Sequence, residues 1–336
     1  MDDVLLLHNT FGNENDPLYL SRSGVMDQVS AVAESLDSIG AKYEIAAVEN
    51  IKHLTEMLCG YKQTLIFNLA EEFLCSIEQA CYVPAICRAF GKSCTGNDTS
   101  ALLLGQNKVN AKNIFLGAGL DCPTGTVINP NQLIDIEGLE PDTYFIKPAF
   151  CDASEGITEE SVVVLPKEIG RATKLIRKLH ERFNQPVIVE QYIPNRELNV
   201  SVIQDGNKVR VAAIAEIDFS AFAPEQSKIV DYSAKWEEGS FGYENTPRKI
   251  PADLTEAQYE QVEQMALAAW RALGCRDYTR VDFRLDNDNN PYLLEINPNP
   301  DISLVGGFAA ALEYASIPYK RFVEIMLNNA AERLKK

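Results

Sequence analysis

No Cys-x-x-Cys pair occurs in this 336-residue chain, although it carries eight cysteines. Without that ligand spacing a structural zinc site is not expected. Cys59, Cys75, Cys81, Cys87, Cys94, Cys122, Cys151 and Cys275 read instead as buried thiols of a cytoplasmic protein. Histidine is scarce. His8, His53 and His180 are scattered, and none has a neighbour suggesting a metal-ligand pair or the base of a nucleophile. Positive charge is in deficit, with 31 Lys and Arg against 48 Asp and Glu, for a net charge of -17. That balance argues against a general binder of nucleic acid or anionic membranes, while leaving room for a local basic pocket. No run approaches the roughly 20 apolar residues of a membrane span. The start "MDDVLLLHNT" is acidic where a signal peptide would be basic, so it reads as a first core strand and the cytoplasm as the location.

Two familiar phosphate-binding loops are also missing. "FGKS" at 90–93 supplies Gly-Lys-Ser, but Ile86 stands where such a loop needs its first glycine, and a helix rather than a strand precedes it. "GAG" at 117–119 is followed by Cys122 where a dinucleotide fingerprint needs its third glycine.

What is present is ordered. "VLLLH", a helix over about 25–39, "KYEIAAV", a short helix at "IKHLTEMLCG" and "TLIFNLA" alternate, which predicts a parallel sheet covered on both faces. "ALLLGQNKVNAKNIFLGAGL" has one helical period after a boundary near Gly96. "YFIKPA", "SVVVL", a helix over about 167–183 and "VIVEQYI" form a small α+β unit. "RELNVSVI" and "KVRVAAIAEI" read as long antiparallel strands joined by "QDGN". Residues 218–251 have too little apolar periodicity for regular structure and suit a lid or binding loop. A helix, a hairpin and two closing helices complete the chain.

The hairpin "RVDFRLDNDNNPYLLEINPNP", residues 280–300, carries the chemistry. Val281, Phe283 and Leu285 alternate with polar residues, as do Tyr292, Leu294 and Ile296. Folding about the midpoint between Asp288 and Asn289 sets Asp282 opposite Glu295 and Arg280 opposite Asn297, and gathers the two apolar sets on the other face. Carboxylates that close repel unless a cation lies between them. Two of them with an amide oxygen suit magnesium completed by substrate phosphates. A hairpin with a merely solvated polar face is the alternative; Pro298 and Pro300 weigh against it by ending the strand in stiff chain.

"RVDF…LLEINPNP" resembles the signature of ATP-grasp enzymes. "FNLAEE", "GKSCTGND", "FIKPAFCDASEGI", "VIVEQYIPNRELNVSVI" and "DYSAKW" follow in the order of the D-alanine–D-alanine ligase branch, over nearly the whole chain. The resemblance implies an α/β (α+β) ATP-grasp fold of three domains: 1–96, with the parallel sheet; 97–193, central; and 194–336, C-terminal with the metal site. ATP would lie between two antiparallel sheets. It further implies Lys147 and Lys108 on phosphates, Ser154 and Gly156 in a closing loop, and Glu190, Gln191, Tyr192 and Ile193 along the adenine edge. Glu197 would meet the ribose hydroxyls and Lys235 the γ-phosphate. Asp282, Glu295 and Asn297 would hold one or two Mg2+ ions, with Mn2+ as a substitute. Arg280, Lys235 and Ser154 are the catalytic candidates.

The implied activity is ATP-dependent joining of a carboxylate to an amine through an acylphosphate; an ATP-grasp kinase and an inactive ATP-binding protein are the alternatives. The implied partners are small molecules, an amino acid or other carboxylate plus an amine, and a second copy in a homodimer. The amino-acid pocket departs from the ligase pattern. Asp301 stands where the ligases carry glycine, Gly306 about where they carry serine, and Trp236 where tyrosine is usual. Asp152 and Ala153 replace a usual Gly-Ser, and Asp16 is the nearest candidate for the acid that meets the first substrate's amine.

Overall fold

Strand β1 (Val4–Asn9) lies at the centre of a wholly parallel sheet in the computed structural model, which describes residues 3–15, 19–73 and 76–335. Helices α1 (Tyr19–Ser23) and α2 (Val25–Ser38) lead to β2 (Tyr43–Val48), and α3 (Ile51–Gly60) to β3 (Leu65–Leu69). Then α4 (Ile77–Ala80) and α5 (Val83–Ala89) precede the two-residue β4 (Ser93–Cys94), in the order β2-β1-β3-β4. Val4 and Leu6 pack on Val25, Val29 and Leu36, while Leu5 and Leu7 pack on Leu54, Leu58 and Val83. Alternate residues of one strand thus feed two cores, as a sheet covered on both faces requires.

The single helix expected from residue 101 onward is two. Helix α6 (Thr99–Gln106) stops at Asn107, whose ψ of 92° is extended, and α7 (Lys108–Gly117) restarts at once. The Asn107 side chain accepts from the Asn110 N–H, so a capping residue broke a run that apolar spacing alone joined. The break puts Lys108 at the first helical position, with its N–H donating to the Ala149 carbonyl at 3.2 Å.

Strands β5 (Gly125–Ile128), β6 (Asp142–Pro148), β7 (Val162–Leu165) and β8 (Val187–Gln191) form an antiparallel sheet in the order β5-β8-β6-β7. Helix α8 (Ile169–Phe183) covers it through Ala172, Leu175, Ile176 and Leu179. A third sheet follows: β9 (Arg196–Asp205), β10 (Lys208–Ile217), β11 (Arg248–Lys249), β12 (Tyr278–Leu285) and β13 (Pro291–Asn297), in the order β11-β10-β9-β12-β13. The stretch expected to be irregular between β10 and β11 holds two one-turn helices, α9 (Tyr232–Trp236) and α10 (Phe241–Asn245). Asp231 and Ser240 cap them, so local side-chain caps supply what apolar periodicity does not. Helix α11 (Glu256–Leu273) covers the third sheet together with α7. Helices α12 (Gly307–Tyr314) and α13 (Tyr319–Leu334) return to the first sheet, where Phe322, Val323 and Met326 join the core of Val4 and Leu6.

The hairpin register departs from strict alternation. Arg280, Val281 and Asp282 oppose Asn297, Ile296 and Glu295 as expected, but Phe283 opposes Leu293, not Leu294. A β-bulge at this point leaves Leu294 outside the one-to-one pairing and turns Leu293 fully inward, where it and Ile296 share the core with Phe283. The cysteine expectation also needs amending. Cys81, Cys87, Cys94, Cys122 and Cys151 are buried free thiols, but Cys59 is exposed on the last turn of α3 and Cys275 is half-buried. Cys75 lies outside the described residues. Among the described residues no helix is long and apolar enough to cross a membrane.

Candidate active site

The unbulged end of the β12–β13 ladder faces the second sheet. Arg280 grips both oxygens of Asp282, Nε to Oδ1 and Nη2 to Oδ2, each at 2.8 Å. Asn199 on β9, the cross-strand neighbour of Asp282, donates to the same Oδ1 at 2.9 Å. Glu295 lies 3.5 Å from Lys108 Nζ. Burial works to raise the Glu295 pKa, but Lys108, Lys147, Arg280 and Lys235 together outweigh it and hold the carboxyl down to about 2. Asn297 Oδ1 accepts the Asn299 N–H at 2.8 Å, which fixes the chain as it leaves the strand.

Lys108 is buried and also donates to the Cys151 carbonyl at 2.6 Å. Lys147, near the end of β6, reaches Glu190 Oε1 on β8 at 2.9 Å. Lys112 binds the other Glu190 oxygen and the Pro123 carbonyl. Burial alone would raise the Glu190 pKa, yet Lys147 and then Lys112 bring it below its usual value. Lys112 is absent from the sequence reading. It lies four residues after Lys108, one helical turn along the same face, and that spacing was the available signal.

In the stretch after β8, the Gln191 and Tyr192 N–H groups are spent on the carbonyls of Thr124 and Thr143, at 2.7 and 2.9 Å. Ile193, also buried, lies beyond the strand. Glu197 on β9 pairs with Arg284 at 3.0 Å, and the Arg284 guanidinium lies 5.3 Å from the Tyr192 ring centre. Burial raises the Glu197 pKa, with Arg284 acting against it and Asp282 with it.

Two loops meet over these residues. Ser154 Oγ donates to the Val230 carbonyl at 2.9 Å, and Trp236 Nε1 donates to the Ala153 carbonyl at 3.1 Å. Ala153, Ser154 and Gly156 all have positive φ, at 53°, 61° and 78°. A Cβ at 156 would come within 2.8 Å of the Phe183 ring, so that turn requires glycine. Lys235 stands on α9 between the loop and the hairpin. It is exposed at the surface, yet the protein atoms around it and then Arg280 lower its pKa, with Glu295, Asp282 and Glu197 acting the other way.

A family model described as D-ala D-ala ligase C-terminus matches residues 143–328, more than half of the chain. The chain belongs to the D-alanine–D-alanine ligase family. It is 29% identical to a D-alanine–D-alanine ligase of Caulobacter vibrioides over 90% of this chain and 87% of that one. It is 31% identical to the enzyme of that name from Acidiphilium cryptum over 71% and 72%. The solved D-alanine–D-alanine ligase of Bacillus anthracis, complexed with ATP, has a similar fold. Its TM-score is 0.77 at 16% sequence identity, with 100% of this chain and 99% of that one covered. The ATP-grasp fold expected from the hairpin signature is therefore the observed one.

In this member of the D-alanine–D-alanine ligase family two of the departures, Asp301 and Gly306, lie against each other. Asp301 accepts from the Ser303 N–H and Oγ at 2.7 and 2.9 Å, and a Cβ at Gly306 would lie 2.7 Å from its Oδ2. A serine at 306 would collide with that carboxylate, so the two departures are coupled. Asp16 lies outside the described residues. Among the described residues no three His, Cys, Asp or Glu side chains converge as a metal cage. Two carboxylates and an amide oxygen fit a hard cation whose shell substrate phosphates complete, which is how magnesium is commonly held.

Proposed function

We propose that this chain is an ATP-dependent ligase that joins a carboxylate to an amine. The observation that carries the reading is the pairing of Asp282 with Glu295 and of Arg280 with Asn297, ringed by Lys108, Lys147 and Lys235. Lys147 holds the α- and β-phosphates, Lys108 is the second lysine of the nucleotide site, and Lys235 meets the γ-phosphate. Ser154 and Gly156 belong to the loop that covers them, Glu190 to Ile193 line the adenine edge, and Glu197 takes the ribose hydroxyls. Asp282, Glu295 and Asn297 would hold one or two Mg2+ ions, which when bound neutralise charge on the phosphate oxygens.

In the first step a substrate carboxylate oxygen bonds to the γ-phosphorus as the bond to ADP breaks. The amine nitrogen then bonds to the acyl carbon, inorganic phosphate leaves and the nitrogen loses a proton. Arg280 is placed to stabilise charge that develops on oxygen in both steps. Neither step needs a side-chain nucleophile. The division into 1–96, 97–193 and 194–336 belongs to the same reading, supported by one whole sheet falling in each range. A homodimer and a cytoplasmic location belong to it as well, the first from the family resemblance and the second from sequence character.

The test is ADP release from purified protein across D- and L-amino acids, hydroxy acids and amines with Mg2+ and ATP. Release that needs both an acid and an amine supports the ligase. Release with an acid alone, giving a stable phosphorylated product, supports a kinase. ATP binding with no release for any pair supports an inactive binding protein.

A further inference from the structure

Arg284 lies on β12 two residues beyond Asp282, on the same face and about 7 Å further along the strand. Its partner across the ladder to β9 is Glu197, as Asn199 is the partner of Asp282. The resemblance to known ligases assigns Arg284 no role, yet its side chain is only 4% exposed and touches four groups. Nη1 donates to Glu197 Oε2 at 3.0 Å and to the Lys228 carbonyl at 2.7 Å. The guanidinium lies 5.3 Å from the Tyr192 ring centre and 5.9 Å from that of Phe219. The Tyr192 hydroxyl also donates to the Lys228 carbonyl, at 3.3 Å. One carbonyl of the segment between β10 and β11 thus receives a side chain from β12 and another from the residue that follows β8.

Arg284 uses its donors differently from other arginines of its sheet. Arg280 meets Asp282 through Nε and Nη2, and Arg196 meets Glu216 through the same two nitrogens. Arg284 spends only Nη1. Its Nε and Nη2 are buried and have no acceptor among the described residues. Buried N–H groups are normally paired, so an edge of this kind points to an acceptor from outside the chain. The segment that Arg284 holds runs on to the phosphate end. Two residues after Lys228, the Val230 carbonyl accepts from Ser154 Oγ at 2.9 Å. Asp231 then caps α9, which carries Lys235, and Trp236 Nε1 donates to the Ala153 carbonyl at 3.1 Å. A continuous path of hydrogen bonds and backbone therefore joins Glu197 to Lys235 through Arg284, and energetic coupling travels through connections of that sort.

We propose that Arg284 is a positioning residue that couples the presence of the nucleoside to the placement of Lys235. This rests on the reading of Glu190 to Ile193 and Glu197 as the nucleoside end of the site. A nucleoside beside Tyr192 and Glu197 supplies an oxygen or ring-nitrogen acceptor to the Nε–Nη2 edge. That contact fixes the guanidinium, Nη1 fixes the Lys228 carbonyl, and the 228–236 segment sets Lys235 against the γ-phosphate. A polyphosphate without a nucleoside meets the same lysines but leaves Arg284 without the added acceptor. The consequence is selective. Phosphoryl transfer from a bare polyphosphate is suppressed, because α9 is set only when the nucleoside is in place.

Trp236 reports on α9 directly, since Trp270, the other tryptophan of the chain, is buried in the core. Acrylamide quenching of Trp236 is measured with Mg2+ and either a non-hydrolysable ATP analogue or inorganic tripolyphosphate, in wild type, Arg284→Met and Arg284→Lys. In wild type the analogue should protect Trp236 and tripolyphosphate should not. Arg284→Met should bind the analogue about 10- to 100-fold more weakly, the range for one charge-assisted hydrogen bond, and should show no protection even at saturation. Its affinity for tripolyphosphate should change less than about threefold, while kcat for ADP release at saturating ATP falls by about tenfold or more. Arg284→Lys should recover part of the protection. Equal protection of the wild type by both ligands overturns the proposal. So do full protection and full kcat in saturated Arg284→Met, which would leave Arg284 as a binding contact alone. Protection that needs Arg284, with no ADP release for any acid and amine, would instead sink the ligase reading and leave the coupling standing. Should Arg284→Met misfold, Arg284→Lys decides alone: wild-type protection by the analogue together with wild-type kcat counts against the proposal.

Discussion

Asp282 and Glu295 face each other across the β12–β13 ladder, yet each carboxylate already meets its own cation, Arg280 for the first and Lys108 for the second. Glu295 is thereby held ionised by its neighbours' positive charge. A carboxyl whose folded pKa lies below its usual value favours folding above that usual value and loses the benefit as pH falls through the folded one. For Glu295 the window runs from about 4.5 down to about 2.

Glu295→Gln should therefore cost stability at pH 7 and cost nothing near pH 2. Denaturant midpoints of the metal-free protein at several pH values check this. A variant as stable as wild type at neutral pH would mean that Lys108 and its neighbours are not acting on Glu295 in the folded chain.

Arg280 stabilises developing charge in the proposed reaction, and loss of one such group typically removes about 2.7–4 kcal/mol of barrier lowering. Arg280→Ala should reduce single-turnover ADP formation by about 10²–10³. An unimpaired rate would remove Arg280 from the reacting centre.

Lys112 shares Glu190 with Lys147. Lys112→Met leaves that buried carboxylate with one cation and should destabilise the fold by about 1.5–3 kcal/mol, the range for a hydrogen bond to a charged group. Freed from Lys112, Glu190 should draw Lys147 closer and weaken ATP binding. Urea unfolding and nucleotide titration measure the two effects separately.

How much of this was legible in the sequence varies with the physics of each element. The turn cluster and the alternation on both sides of it fixed the pairing of Asp282 with Glu295 and of Arg280 with Asn297, because register near one end follows from matching apolar faces. "YLLEI" is ambiguous: two adjacent leucines fit either phase, and only the space under Phe283 selects Leu293. Asn107 was hidden inside a helical period, since a cap acts through its side chain and not through apolar spacing. Arg248 lies in a stretch without periodicity, and its guanidinium packs over Gly307, 59 residues later in the chain. Contacts of that kind are set by tertiary packing, which no local pattern encodes.

Glu71 follows "FNLA" on the first sheet and accepts from Gln28 Nε2 at 2.6 Å. Burial raises its pKa, the Gln28 hydrogen bond opposes this, and Asp301, Glu72 and Asp152 add to the rise, which reaches about 7 from 4.5. A raised carboxyl favours folding below its ordinary value and loses that advantage as pH climbs through the folded one. Between pH 5 and pH 8 this residue should therefore lower stability progressively. Glu71→Gln keeps an acceptor for Gln28 and removes the charge. It should melt higher than wild type at pH 8, by on the order of 2 °C, and no higher at pH 4.5. Melting curves at the two pH values decide the matter, and a gain of the same size at both would trace the effect to packing instead of charge.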